Sequence, residues 1–210
     1  MFTLKSDYYD EIVNSIFLPS EFYQFDRPVN QRNKIVWGQD IENDTTIEKV
    51  TQFKSTAKVC RERLELFGLT YEIAKKDFDR TIQENKDYDV YNFLKRKTVT
   101  YEEYLSNIKN IISSQERLYD VNIYETIQEY LHKNELCFEH QSINCALWSM
   151  LYVVPDNSCI EYDLTEIEHA GWISIDPKER ISNKKIIVLT EGRTDSEFLN
   201  IGLELFYPHL

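Results

Sequence analysis

The chain has 210 residues, a net charge of −12 and a hydrophobic fraction of 42%. This apolar fraction supports the core of one domain or two small ones and excludes wholesale disorder. The acidic balance excludes a simple phosphate-backbone binder, because such a protein needs a basic stripe. The one dense basic cluster, Lys95-Arg96-Lys97, is interpreted as a solvated helix end.

The first half of the chain is predicted to be mostly helical. Residues 1–44 are aromatic-rich and irregular, with one short strand at Ile35-Val36-Trp37. From Ile47 a helix is predicted because apolar residues recur every three or four positions, at Val50, Phe53, Ala57, Cys60, Leu64 and Phe67. Gly68 is predicted to end this helix and Thr70 to cap the next one, so that the two form a helical hairpin.

Three more helices are predicted after this hairpin. Thr100 and Glu103 form a capping box, which opens the first of them. The second carries Ile123, Ile127, Tyr130 and Leu131 on one face. The third is predicted to run from Ser142 to a stop at Pro155.

The pattern then changes from helical to alternating. Ile160, Tyr162 and Leu164 alternate with acidic residues, which predicts a strand with one wet face. Thr165 and Glu168 are predicted to form a capping box at the start of a short helix that ends at Gly171.

The last 26 residues carry the strongest functional signal. Ile186-Ile187-Val188-Leu189 predicts a buried strand, Thr190-Glu191-Gly192 predicts a turn, and Thr194 with Glu197 predicts a capping box. Open α/β sheets place their sites where a strand ends beside a helix N-terminus. From spacing alone, Glu191 is either a general base or a ligand of a hard cation with Asp195 near it, or a strand-exit residue without chemistry.

Other kinds of site find less support. The four cysteines lack the second close pair that a zinc site needs, so they are interpreted as buried free thiols of a reducing compartment. No histidine lies five positions after an arginine, so an R-x-x-x-x-H motif is absent. No signal peptide or long apolar run is present, which predicts a soluble, cytoplasmic protein without membrane contact.

Residues from Ile186 onward, with Glu191-Gly192-Arg193-Thr194-Asp195, resemble the first motif of the Toprim domain, the catalytic fold of topoisomerases, primases and a class of nucleases. Residues 52–78, with the hairpin at Gly68, and residues 161–165 resemble bacterial HEPN/Toprim-associated proteins. Tyr207-Pro208-His209-Leu210 resembles the stretch before the second Toprim motif. The resemblance extends from about Ile35 onward.

This resemblance implies a mainly α fold in two parts. Residues 1–180 would form a HEPN-like helical domain with a few short strands. Residues 185–210 would form the first βα unit of a Toprim α/β fold. Because the R-x-x-x-x-H pair of active HEPN ribonucleases is missing, the helical domain is expected to be a non-catalytic scaffold or regulatory region. The family association is with bacterial defence against phage.

The resemblance also implies roles for two carboxylates. Glu191 would be the catalytic Toprim glutamate, and Glu191 and Asp195 would lie on the metal side of the site. The Asp-x-Asp pair that holds Mg²⁺ in the family does not follow in this sequence, so the chain alone is expected to be inactive. Mg²⁺ is expected only if a missing segment or a partner completes the Toprim fold.

Two other functions stay open. The chain could be a stand-alone interaction or oligomerisation module, with residues 185–189 paired to residues 159–164 or across a homodimer. It could also be a divergent HEPN ribonuclease. The expected partners are a second copy or a Toprim-completing protein, with DNA or RNA bound only within a larger assembly.

Overall fold

The computed structural model describes residues 15–32, 41–88, 92–114, 124–134, 136–171 and 192–206. The chain divides into two compact units, Met1–Ile173 and Ser174–Leu210. The strands predicted at residues 35–37 and 186–189 lie outside the described residues. The domain limits 1–180 and 185–210 stay a prediction.

Three strands of the first unit form one antiparallel sheet. They are β1 (Phe22–Pro28), β2 (Ile47–Thr56) and β3 (Cys159–Asp163), in the spatial order β1-β2-β3. Phe25 lies opposite Val50 in the first pair, and Phe53 lies opposite Tyr162 in the second. The strand predicted at Ile160 and Tyr162 is therefore confirmed as β3.

The helix predicted from Ile47 is wrong for its first ten residues, which form β2. Successive side chains of a strand point to opposite faces, so Val50 and Phe53 lie on opposite faces of this central strand. Both are fully buried. Because β2 is buried on both faces, its apolar residues recur at a three-residue spacing that is also typical of a helix. The β-branched residues Ile47, Val50 and Thr51, in contrast, favour a strand.

Seven α-helices of the first unit have their full length among the described residues. They are α1 (Ala57–Leu66), α2 (Tyr71–Asn85), α3 (Asn92–Arg96), α4 (Tyr101–Ser114), α5 (Ile127–Lys133), α6 (Ile143–Val153) and α7 (Thr165–His169). The described part of the chain is therefore mainly helical with a small sheet, and none of its helices could cross a membrane.

Helix α6 is the centre of the helical layer. Seven consecutive side chains, Cys145 to Leu151, are buried, and α1, α2 and α4 all pack against this helix. A helix that is apolar on every side must be enclosed by its neighbours. Its bounds confirm the helix predicted between Ser142 and Pro155.

Aromatic rings fill the space between α2, α4 and the segment before α6. The fully buried Phe78 ring stacks on Tyr104 at 4.8 Å and lies 5.5 Å from Tyr101 and 5.9 Å from Phe138. Tyr104 Oη donates a hydrogen bond to the carbonyl of Leu136 at 2.9 Å. Tyr104 is therefore buried with its hydroxyl group paired.

The predicted helix ends around the hairpin are confirmed. Gly68 has φ +85°, and the N–H groups of Gly68 and Leu69 donate to the carbonyls of Glu65 and Leu64, which is a Schellman motif. Thr70 caps α2 by accepting from the N–H of Ile73. Phe67 was predicted on the buried face of α1, but it is 65% exposed, since the helix has already ended there.

The capping box at Thr100 and Glu103 is also present. Glu103 N–H donates to Thr100 Oγ1 at 3.1 Å, and Thr100 N–H donates to Glu103 Oε2 at 3.0 Å. The next helix begins at Ile127 with a box between Thr126 and Glu129, and Ile123 lies outside the described residues. Local side-chain chemistry thus sets these helix starts.

Candidate functional site

Of the two carboxylates predicted to lie on the metal side of the site, the structure describes one. Glu191 lies outside the described residues, so its catalytic and metal-binding roles stay predictions. Asp195 lies in the first turn of α8 (Arg193–Phe206), the helix of the second unit, and is exposed. Its charge is favourable at the positive end of the helix dipole.

Helix α8 begins two residues earlier than the predicted capping box requires. Thr194 is already helical, so it is not the cap, and Glu197 does not reach back to close a box. Glu197 Oε1 instead accepts a hydrogen bond from Arg193 Nε at 2.8 Å. The prediction was wrong because an i,i+4 ion pair was available to the same carboxylate.

The apolar residues of α8 cover one face of the helix. Its large apolar side chains are exposed, and they comprise Phe198, Leu199, Ile201, Leu203, Leu205 and Phe206. The opposite face carries Ser196, Asn200 and Glu204 at intervals of four. Asp195 precedes Phe198 by three positions and Leu199 by four, so it lies on the apolar face at its N-terminal end.

Within the described residues no group of three or more His, Cys, Asp or Glu side chains is placed to hold a metal ion. Of the two carboxylates predicted to lie on the metal side of the site, the described residues include Asp195 and not Glu191.

Among the described residues of the first unit, a cluster of paired charges lies on the sheet and was not predicted. Arg27 of β1 donates from Nη2 to Glu48 Oε1 at 2.9 Å and to Asp163 Oδ2 at 3.1 Å. One guanidinium thus joins β1, β2 and β3. The side chains of these residues are only 15%, 6% and 7% exposed. No local sequence pattern predicts the cluster, because Arg27 and Asp163 are 136 residues apart.

A second arginine completes this sheet ion cluster, defined by Arg27, Arg32, Glu48, Asp163 and Glu166. Arg32 pairs with both carboxylate oxygens of Glu48 and reaches Glu166 Oε1 of α7 at 2.7 Å. Burial raises the pKa of Glu48, but the hydrogen bonds and charges of the two arginines outweigh it and lower the pKa overall. Glu48 therefore stays ionised and acts as an acceptor.

The residues predicted to cap α7 are used for tertiary contacts instead. The N-cap is Leu164, and Thr165 Oγ1 accepts from the N–H of Thr51 at 3.1 Å. Thr51 Oγ1 donates to Glu168 Oε2. The capping box predicted at Thr165 and Glu168 is therefore wrong, because a buried backbone donor of the central strand takes the threonine hydroxyl.

A smaller charged pair joins the sheet to the helical layer. Arg63 of α1 donates from Nη1 to Glu21 Oε2 at 2.6 Å and to the carbonyl of Ile16 at 2.8 Å. Glu21 also accepts from Ser55 Oγ at 2.6 Å. Burial raises the pKa of Glu21, but Arg63 and the other hydrogen-bond donors lower it overall.

These buried carboxylates are suited to holding the fold. A general acid must give up a proton, yet arginine pairing keeps Glu48 and Glu21 ionised. A hard cation needs free carboxylate oxygens, but both oxygens of Glu48 accept from guanidinium groups. The arrangement therefore positions three strands, α1 and α7 relative to one another.

The remaining predicted features are distributed over the unit. All four cysteines are free, but only Cys60 and Cys145 are buried, and Cys159 is exposed. The prediction of buried thiols is wrong for Cys159, which sits on an edge strand. Trp148 is buried in α6. The basic cluster at residues 95–97 is exposed at the end of α3, as interpreted.

Comparison with known proteins identifies a family for this chain. Residues 2–186 match the family model described as HEPN/Toprim N-terminal domain 1. No curated protein and no solved structure matches the chain. The match covers most of the sequence and confirms the resemblance to HEPN/Toprim-associated proteins. The chain therefore belongs to the HEPN/Toprim N-terminal domain 1 family.

Proposed function

We propose that the N-terminal domain is a non-catalytic scaffold and regulatory region of a Toprim nuclease-like protein in bacterial defence against phage. The observation that carries this proposal is the position at which the family match ends. It ends at residue 186, where the Toprim-like run of Ile186 to Asp195 begins. A separate compact unit begins nearby, at Ser174.

The pairing of charged side chains in the first unit supports a structural role for that unit. The side chains of Arg27, Arg32, Glu48 and Asp163 are at most 15% exposed and are paired with one another. A catalytic carboxylate or arginine must instead face a substrate. The sheet ion cluster is therefore interpreted as the part that fixes the scaffold, and the chemistry is assigned to the second unit.

In the second unit we assign Glu191 as general acid or base and Asp195 as its metal-side neighbour. Asp195 offers the hard oxygen ligand that Mg²⁺ takes, and no described residue donates a hydrogen bond to it. Mg²⁺ would supply charge stabilisation for phosphoryl transfer. The Asp-x-Asp pair that such a site needs would come from a further Toprim segment, on the same or a separate polypeptide.

A nuclease assay tests this division of labour. The 210-residue chain, alone or joined to an Asp-x-Asp-bearing Toprim segment of the same family, is incubated with labelled DNA and RNA in Mg²⁺ or in chelator. The chain alone should not cleave, and the completed protein should cleave only with metal. Glu191→Gln should lower that cleavage about 10²- to 10⁴-fold, as loss of a general acid or base does.

Glu204→Gln is the matched control, because Glu204 lies on the polar face of α8 and is bonded to Asn200. It should leave cleavage unchanged. Cleavage by the chain alone in Mg²⁺, lost in Glu191→Gln, would show that the site needs no further segment. RNA cleavage in chelator would favour a divergent HEPN ribonuclease. Absence of cleavage by the completed protein would favour a stand-alone interaction module.

A further inference from the structure

Among the described residues, no strand pairs with the outer edge of β1, so this edge of the sheet is open. The backbone of Thr51 is directed to the β3 side, since its carbonyl accepts from Leu164 N–H at 2.8 Å and its N–H donates to Thr165 Oγ1. Gln24 lies opposite Thr51, so this is a non-hydrogen-bonded pair and the N–H and C=O of Gln24 point away from β2. By alternation, the same holds for Asp26.

This open edge is exposed and weakly protected. The four residues from Tyr23 to Asp26 are all exposed, and the rings of Tyr23 and Phe25 are 47% and 42% exposed on the same face. No described residue pairs with the outward backbone groups of Gln24 and Asp26. Natural edge strands are usually protected against pairing by lysine, bulges or proline. The only proline within β1 is Pro28, its last residue, so proline does not protect the middle of the strand.

We propose that β1 pairs antiparallel with β1 of a second copy of this chain across a twofold axis at Phe25. The two sheets would then join into one continuous sheet. This inference is independent of the proposed Toprim function, because it uses only residues of the first unit.

The hydrogen-bond pattern selects Phe25 as the axis. Only residues whose backbone groups both point outward can form hydrogen-bonded pairs across the new edge. With the axis at Phe25, Gln24 lies opposite Asp26 of the second copy, and every outward N–H and C=O of both residues has a partner. Neighbouring registers leave groups unpaired or oppose like charges.

An axis at Asp26 sets two carboxylates opposite each other and places Gln24 against Pro28, which has no N–H. An axis at Gln24 places Asp26 against Phe22, whose N–H already donates to the carbonyl of Pro19. These two registers are therefore less favourable than the one centred on Phe25.

The side chains agree with the same register. The two Phe25 rings would face each other in a closely spaced non-hydrogen-bonded pair, where aromatic contacts stabilise strand pairing. Tyr23 would lie opposite Arg27 of the other copy, so no like charges oppose each other at that pair. On the other face, the amide of Gln24 would lie opposite the carboxylate of Asp26 and could donate to it.

Cysteine cross-linking of the full chain tests the register. In a Cys159→Ser background, which removes the exposed native thiol, single variants Phe25→Cys, Gln24→Cys and Asp26→Cys are oxidised mildly. Cα atoms in a non-hydrogen-bonded antiparallel pair are about 4.5 Å apart, which a disulfide can span. Phe25→Cys should give a covalent dimer, and the other two should not cross-link alone but should do so when mixed.

Gln83→Cys, exposed on α2, is the control for random collision. Cross-linking of Gln24→Cys or Asp26→Cys alone in preference to Phe25→Cys would overturn the axis. Equal cross-linking of Gln83→Cys and Phe25→Cys would overturn the pairing itself.

The mass in solution gives a second, independent test. The wild-type chain should be a dimer by sedimentation, and Phe25→Lys should be a monomer because two like charges would meet on the axis. Gln24→Pro should also be a monomer, since it removes an outward N–H that the β1–β2 pair does not use. Both variants should keep the wild-type circular dichroism. A wild-type monomer, or a dimer that persists in both folded variants, would overturn the proposal.

Discussion

The helical layer and the sheet of the first unit are stabilised by different interactions. Between the helices, Phe78 and Tyr104 pack as buried aromatic rings. Across the sheet, Arg27 and Glu48 form a buried ion pair that also reaches Asp163. Aromatic packing is nearly independent of pH, whereas ion pairs depend on ionised carboxylates. The sheet should therefore respond to conditions that leave the helical layer unchanged.

The largest expected effect comes from removing the central ring of the helical layer. Phe78→Ala should lower the free energy of unfolding by about 3–5 kcal/mol, because it leaves a cavity among fully buried side chains. Urea unfolding followed by circular dichroism measures this loss. The size of the loss should be the same at pH 7 and pH 5, since no charge is changed.

Phe78→Leu is the control, because it keeps much of the buried volume and should cost clearly less than Phe78→Ala. If both variants were as stable as the wild type, the aromatic cluster would not be the core of the helical layer.

Breaking the sheet ion cluster should lower the free energy of unfolding nearly as much as Phe78→Ala does. Glu48→Gln removes the charge that both arginines share and leaves Arg27 paired only with Asp163 and Arg32 only with Glu166, so we expect a loss of up to about 3 kcal/mol. The same urea titration measures it. In acid, the free energy of unfolding of Glu48→Gln should become equal to that of the wild type, whereas Phe78→Ala should stay less stable.

Lys54→Gln is the matched control on the same strand. Lys54 pairs with Glu161 at 2.8 Å, but both side chains are 48% exposed, so the pair should contribute about 0–1 kcal/mol. Equal losses for Glu48→Gln and Lys54→Gln would mean that burial of the sheet ion cluster does not strengthen its contribution.

The helical layer was more predictable from sequence than the sheet. Thr70, Gly68 and the Thr100–Glu103 box act within a few residues of their own position, so local patterns identified them. The same patterns predicted a capping box at Thr165 and Glu168 that is absent, because both side chains form hydrogen bonds with Thr51 instead. Local rules hold where no distant donor or acceptor competes.

The sheet ion cluster depends on contacts that sequence patterns do not record. Glu48 joins Arg27 across 21 residues, and Asp163 joins it across 136. Strand β2 was itself predicted as a helix, so its cross-strand neighbours could not be inferred. Of the candidate site, the sequence placed Asp195 in a first helical turn, which α8 has, while the roles of Glu191 and Asp195 stay predictions.

Acid should weaken the sheet ion cluster selectively. The pKa of Glu48 in the folded protein lies below its ordinary value of 4.5. Its contribution is therefore complete above that value and is lost as the pH falls toward the folded pKa, because the unfolded chain binds the proton first. The stability difference between wild type and Glu48→Gln should shrink below about pH 4.5.

Urea titrations of both proteins from pH 7 to pH 3 measure this difference. Phe78→Ala serves as the comparison, since its difference from the wild type should stay constant over the same range. A Glu48→Gln difference that stayed equally constant would show that the pairing with Arg27 and Arg32 does not shift the carboxyl group.

The smallest effect expected concerns backbone conformation at the helical hairpin. Gly68→Ala places a Cβ at φ +85°, where nothing lies within 4 Å, so the cost is conformational and should be about 1–2 kcal/mol. Gly202→Ala, inside α8 and equally unobstructed, should instead favour its helix by about 0.5–1 kcal/mol. Thermal unfolding of the two variants should therefore shift in opposite directions if it reports on both units. A Gly68→Ala variant as stable as the wild type would show that the Schellman turn adapts to a side chain, and that the hairpin contributes less to the helical layer than its hydrogen bonds indicate.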